Sequence, residues 1–416
     1  MGKGRTQRAR RPSPRAVLRL APLILLAIGA GTLAPPAMAD QPLAAEHSPG
    51  RAAFLDPSFG EAGRAMLPPQ PFASYADAVL MHDDGLVVAT DRGLRRLGPG
   101  GWLDEAFGAG GTVTPPAPPG GEFELEALGV DSRNRLIVAG TASLPGEEPP
   151  SPDSFGNGIG ERPKRARVLR YLPSGVLDPG FGEGGVVETD LGLPAPREEE
   201  GTQILSRPWV EVTGVAIDSQ DRVVLTGGAS AGLEGGCAHD WFFDTLTYAA
   251  FVARLDPAGR LDSTFGRGGV FGGRSTAENP LRAEVAADPA LGPGDEVTYA
   301  SGVGHCPRAA GASGLGRLDA GGGTEVGFGT RGAVRRWSDD MVALSGGGIA
   351  TLGYETPWYN TKEAATVGVT RLSPEGRRDR SFGTRGKTVI RTPGGSGGLL
   401  GSIAADWRGA CCSAAR

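Results

Sequence analysis

RLDPAGRLDSTFGRGGVF, residues 254–271, recurs along the chain in a fixed frame. The same frame reads RLGPGGWLDEAFGAGGTV from Arg96, RYLPSGVLDPGFGEGGVV from Arg170, RLDAGGGTEVGFGTRGAV from Arg317 and RLSPEGRRDRSFGTRGKT from Arg371. A shorter copy, FLDPSFGEAGRAM, begins at Phe54. Each full copy sets an Arg eleven residues before a Phe, and the six phenylalanines, Phe59, Phe107, Phe181, Phe265, Phe328 and Phe382, lie 48, 74, 84, 63 and 54 residues apart. Self-similarity on this scale marks a protein built from stacked supersecondary units.

Each interval carries further strand signals. ALGVDSRNRLIVAG (127–140), GVAIDSQDRVVLTGG (214–228) and AVLMHDDGLVVAT (78–90) pair short Val/Ile/Leu runs around an Asp/Asn/Gly turn. Such runs are too short for helices and read as β-hairpins. A third strand ends at the repeated Arg, and a fourth follows Phe-Gly. A four-stranded sheet has two apolar faces and cannot bury either alone, whereas radial packing buries both. The expected fold is therefore all-β, a β-propeller of four-stranded blades. It comprises five complete repeats plus a partial one, six-bladed or incompletely closed.

The repeated residues have scaffold reasons. Pro-x-Gly fixes one φ and then permits a positive one, which is turn chemistry. The Phe is a plug between neighbouring sheets, and the Gly after it permits close backbone approach. The Arg and the Asp eight residues later (Arg254 and Asp262, for example) straddle the turn and are placed to pair. One unit departs from the pattern, with Ala320 for the Pro and Glu325 for the Asp.

The core L-D-x-x-F-G, with its upstream hairpin and D-x-x-x-R turn, resembles the delta-60 repeat over roughly Phe54 to Trp407. That family is a β-propeller domain of unknown function from bacterial secreted and surface proteins. The resemblance implies the fold and an exported location, and implies no activity.

The N-terminus points the same way. Seven basic residues without an acid precede an apolar stretch, LAPLILLAIGAGTL (20–33), and then Ala37-Met38-Ala39. This is the layout of a cleaved signal peptide, residues 1–39, with Asp40 as the mature start. Residues 40–53 read as a linker, 54–409 as the propeller and 410–416 as an aberrant tail. Removing those seven basic residues from the 42 of the chain leaves 35 against 47 acidic, a net charge of −12. That balance argues against nucleic acid as a partner, and no other segment could span a membrane.

Function is expected from the irregular segments. Two connections per unit are long and variable: 115–121, 190–208 and 272–279, and 141–163, 229–247, 304–313 and 354–365. Antiparallel pairing brings both kinds to one face, the candidate binding face. Its aromatic residues Trp241, Phe242, Trp358 and Tyr359 suit a glycan or a peptide or protein partner, or they pack the loops. Cys237 and Cys306, in the same loop class of successive units, are candidates for a disulfide in an oxidising compartment. His239 and His305 lie beside them, but at no familiar zinc spacing, so no metal site is assigned. The matches to G-x-S-x-G at 228–232 and 394–398 follow from the abundance of Gly, and no motif for a cofactor is present. The expectation is a non-enzymatic binding or surface-interaction module. The alternative is a propeller enzyme of lyase or metal-dependent lactonase type, which requires acids converging on the central axis.

Overall fold

Val223, Val224 and Leu225 are consecutive and all buried, yet they belong to two different cores. Val223 and Leu225 pack with Ile137, Val168 and Phe181 on one side, while Val224 packs with Phe265, Ala286 and Val297 on the other. A strand alternates its side chains between two faces, so this sheet lies between two neighbours and is covered by both. That is why its apolar run is continuous rather than alternating with polar residues.

The computed structural model describes residues 57–65, 67, 76–82, 85–90, 93–144, 164–193, 210–230, 248–272, 285–302, 314–335, 338, 340–354, 366–391, 403–405 and 411–413. They form five antiparallel sheets, each of four consecutive strands. The first holds β1 (Ala76–His82), β2 (Gly85–Thr90), β3 (Gly93–Leu97) and β4 (Thr112–Val113). The second holds β5 (Glu122–Val130), β6 (Leu136–Ser143), β7 (Lys164–Tyr171) and β8 (Val186–Thr189). The third holds β9 (Val210–Ile217), β10 (Val223–Ser230), β11 (Tyr248–Leu255) and β12 (Val270–Gly272). The fourth holds β13 (Val285–Leu291), β14 (Val297–Gly302), β15 (Gly314–Leu318) and β16 (Ala333–Val334). The fifth holds β17 (Asp340–Ala343), β18 (Ile349–Tyr354), β19 (Thr366–Leu372) and β20 (Lys387–Arg391). A two-stranded ladder, β21 (Ile403–Ala405) with β22 (Cys411–Ser413), follows. Among the described residues no helix is long and apolar enough to cross a membrane.

The arrangement is a five-bladed β-propeller array. The first strands of successive sheets touch in the order β1, β5, β9, β13, β17 and then β21, so they form its inner wall. Pairing between first and second strands is broken by a register shift in four of the five sheets, at Ala76/Ala78, Leu125/Ala127, Thr226/Gly227 and Ala287/Ala290. Such bulges bend and twist a strand locally. At the third of them a Cβ on Gly227 would lie 2.0 Å from the Glu211 carbonyl oxygen, so only glycine fits.

Five apolar clusters fill the spaces between neighbouring sheets. Phe107, Phe181, Phe265 and Phe328 are each fully buried in one. Phe382 is half-buried against the fifth sheet, where Ile403 of β21 completes the cluster. Phe59 is half-buried beside the first sheet. β22 lies beyond Gly409, where the sequence reading ends the repeat. Residues 1–39 and the linker 40–53 lie outside the described residues.

Candidate functional site

The repeated Arg is the hub of a staple between blades. Arg170 gives Nε to Asp178 Oδ2 at 2.8 Å, Nη2 to the Gly180 carbonyl at 3.2 Å and Nη1 to the carbonyl of Pro257, in the next sheet's turn, at 2.6 Å. Arg254 repeats this with Asp262 at 2.8 Å, Thr264 Oγ1 at 3.2 Å and the Ala320 carbonyl at 2.6 Å. Arg96 reaches the Pro173 carbonyl at 3.2 Å, and Arg317 the Pro374 carbonyl at 2.6 Å. Three of these guanidinium groups also lie over the unit's own Phe ring, 4.5 Å from Phe181, 4.6 Å from Phe265 and 4.4 Å from Phe328. A buried charge is tolerated only when it is paired and its donors are satisfied, and here the next blade supplies part of that satisfaction.

A backbone bond runs beside each staple. The Gly after the Phe donates its N–H to the next residue of the same turn: Gly108 to Ser174, Gly182 to Ala258, Gly266 to Gly321 and Gly329 to Glu375, all at 2.7–2.9 Å. Gly60 does the same to Gly100 at 2.8 Å, so residues 57–64 occupy the place of such a loop ahead of the first sheet.

The hairpin turns form a second chain on this face. Asp131 Oδ1 accepts the N–H groups of Arg133 and Arg135, and its Oδ2 accepts Arg135 Nε at 2.6 Å. Asp218 does the same with Gln220 and Arg222. Ser132 then donates both its N–H and its hydroxyl to Asp221 of the next turn, at 2.8 and 2.9 Å. Ser219 repeats this to Asp295 at 3.0 and 2.8 Å. Sequence spacing explains each turn's internal Asp. The Ser-to-Asp links between turns were not foreseen, although the recurring Asp-Ser pair was the available signal.

Electrostatically, Asp178, Asp221 and Asp262 are committed to the ionised state. Burial pushes Asp178 up, but the Gly180 N–H, Arg170 and Arg135 outweigh it and hold the carboxyl below its usual range. Asp262 is lowered against burial by Thr264 and Arg254, and Asp221 by Ser132 and two arginines. A general acid or base at neutral pH needs the opposite shift. On the inner wall, Glu211 pairs with Lys164 at 3.3 Å. Asp340 accepts the Ile403 and Met341 N–H groups, each at 2.7 Å. Among the described residues no three His, Cys, Asp or Glu side chains are gathered to hold a metal.

The opposite face receives the ends of strands two and four of each sheet, as the antiparallel order requires. The Pro-rich link 114–121 lies there, held by Arg167 Nε on the Pro116 carbonyl at 3.2 Å. Trp241, Phe242, Trp358, Tyr359, Cys237, Cys306, His239 and His305 all lie outside the described residues.

No family model matches this chain, and no curated protein does. Several solved structures are similar in trace. A protein of unknown function from Bacteroides caccae is 11% identical, with a TM-score of 0.36 over 78% of this chain and 90% of its own. The Pan2 WD40 domain of Neurospora crassa is 10% identical, with a TM-score of 0.39 over 80% and 69%. A gluconolactonase from Xanthomonas campestris is 11% identical, with a TM-score of 0.36 over 80% and 79%. Likeness at this level assigns neither substrate nor activity to this chain.

Proposed function

We propose that this chain is an exported propeller of the delta-60 type whose task is binding, carried out by the variable-loop face. The observation that carries the reading is the contrast between the two faces. On the turn face the acids and arginines described above are spent on holding blades together. On the other face the strand order places the long connections, whose lengths differ from unit to unit. Trp241, Phe242, Trp358 and Tyr359 fall in those connections and suit contacts with a glycan or an extended peptide. The Cys237–Cys306 disulfide belongs to the same proposal, as a brace between two of the loops.

We also infer an incompletely closed sixth sheet. The β21–β22 ladder packs beside the fifth sheet as a following first and second strand would. Residues 57–64 lie against the first sheet as a preceding loop would.

The test is binding of the exported chain to glycan and peptide arrays, with Trp358→Ala and Trp241→Ala as controls. Selective retention of one ligand class, lost in either variant, is expected. Failure to bind either array overturns the reading. So does hydrolysis of sugar lactones stimulated by a divalent cation, which would establish the enzyme alternative.

A further inference from the structure

Two departures from the repeat meet at one place on the outer rim, between the third and fourth sheets. The first is in the turn. The other units read Pro99-Gly100-Gly101-Trp102, Pro173-Ser174-Gly175-Val176, Pro257-Ala258-Gly259-Arg260 and Pro374-Glu375-Gly376-Arg377. The fourth unit reads Ala320-Gly321-Gly322-Gly323. Only Gly322 has a positive φ, +79°, that calls for glycine. Gly321 and Gly323 have no such need: a Cβ there would meet only the Asp319 carboxylate, at 3.3 Å and 2.8 Å, a side-chain end that can shift. Backbone geometry therefore does not explain glycine at all three positions. Its effect is to remove the side chain that projects here in the other units, as Trp102 and Arg260 do.

The second departure is in β12. Phe271 pairs with Val252, two residues before the repeated Arg. At the same register the other units carry Val113, Val187, Val334 and Thr388. The half-buried Phe271 ring leans on Tyr299, with centroids 6.3 Å apart.

Together they leave a groove of about 370 Å³, floored by Gly321, Gly322 and Gly323 and walled by Phe271, Val270 and Arg267. That volume is in the range of small-molecule sites. Arg267 is exposed, and among the described residues its guanidinium has no ion-pair or hydrogen-bond partner.

We propose that this groove is a binding site for a single acidic sugar residue, separate from the variable-loop face. The apolar C–H face of a pyranose ring lies on Phe271. The glycine floor gives the ring room. The Arg267 fork takes the carboxylate in a bidentate pair, the geometry for which guanidinium is suited.

The test uses substitutions that the repeat itself supplies: Phe271→Val, Arg267→Thr (as Thr330 and Thr384 stand) and Gly323→Val (as Val176 stands). Binding of D-glucuronate, D-glucose and acetate to the exported chain is measured by calorimetry, and each variant's urea midpoint is recorded. Glucuronate is expected to bind at least about tenfold more tightly than either control, the discrimination one charge-assisted pair gives. Each variant is expected to lose that advantage at an unchanged midpoint. The proposal is overturned if glucuronate does not bind at 10 mM-scale concentrations, if glucose binds equally, or if the three variants retain the wild-type affinity. Because no loop aromatic is altered, these outcomes are independent of the array experiment.

Discussion

Arg317 donates Nε to Thr298 Oγ1 at 2.8 Å, while the carboxylate of Glu325, the residue in register with Asp178 and Asp262, stands 3.9 Å away. Thr298 pairs with Arg317 across the sheet. At that register the other units hold Val87, Ile137, Val224 and Ala350, none with a hydroxyl. The unit that lengthened its acid has thus gained a hydroxyl for the arginine it left short.

Thr298→Val should therefore cost about 1–3 kcal/mol, the penalty for leaving a buried donor unsatisfied. Adding Glu325→Asp should recover most of the loss, because it rebuilds the pairing that Arg254 has with Asp262. Urea unfolding of the single and double variants checks this. A double variant no more stable than Thr298→Val would show that the two sites are not coupled.

The repeated phenylalanines should differ in weight according to what covers them. Phe181 is fully buried between the second and third sheets and lies under Arg170. Phe181→Ala should cost about 3–5 kcal/mol, the usual range for truncating a core aromatic. Phe382 is half-buried with one complete sheet beside it, so Phe382→Ala should cost clearly less. Equal losses in thermal or urea unfolding would contradict this ordering.

Much of this architecture is legible in the sequence because the repeat states it several times over. The Arg-to-Phe spacing, the Pro-x-Gly turn and the hairpin runs mark third strand, turn and first two strands, and the sheets follow that order. What escapes sequence reading is what joins one unit to the next. The acceptors of Arg170 Nη1 and Gly182 N–H are backbone carbonyls of Pro257 and Ala258. Carbonyls have no sequence signature, so only the packed neighbour reveals them. The groove beside Phe271 was hidden for the same reason, since its two departures are about 50 residues apart in the chain and meaningful only when adjacent. The proposed loop-face residues were found by their irregularity, which locates them without saying what they bind.

Acid should weaken the fold through the carboxylates of the staples and of the turn-to-turn links. Asp178, Asp221, Asp262 and Asp379 are all held below their ordinary value in the folded chain. The unfolded chain takes up protons first, near pH 4. Their contribution is therefore fully present above about pH 4 and is lost as pH falls through the lower folded values. Asp262→Asn should flatten the dependence of unfolding free energy on pH below about 4, while lowering stability at pH 7. An unchanged slope between about pH 2 and 4 would remove Asp262 from that set.

The end of the array supplies the sharpest contrast, because the same arginine stands in two environments. Arg254 is only 2% exposed, and its groups are held by Asp262, Thr264 and the Ala320 carbonyl of the next sheet. Arg371 keeps its own partner, Asp379, at 3.1 Å, but its side chain is 38% exposed. Arg254→Ala should cost about 3–5 kcal/mol, since it strands a partly buried carboxylate and uncaps a carbonyl. Arg371→Ala should cost about 1 kcal/mol or less, because a solvent-screened pair is worth little. The comparison also tests the proposed sixth sheet. If the two variants lose equal stability, a turn equivalent to Ala320-Gly321-Gly322 must cover Arg371 in solution, and the ring would be complete. If Arg371→Ala stays cheap, the fifth sheet ends in an open staple, as the proposed incomplete closure predicts.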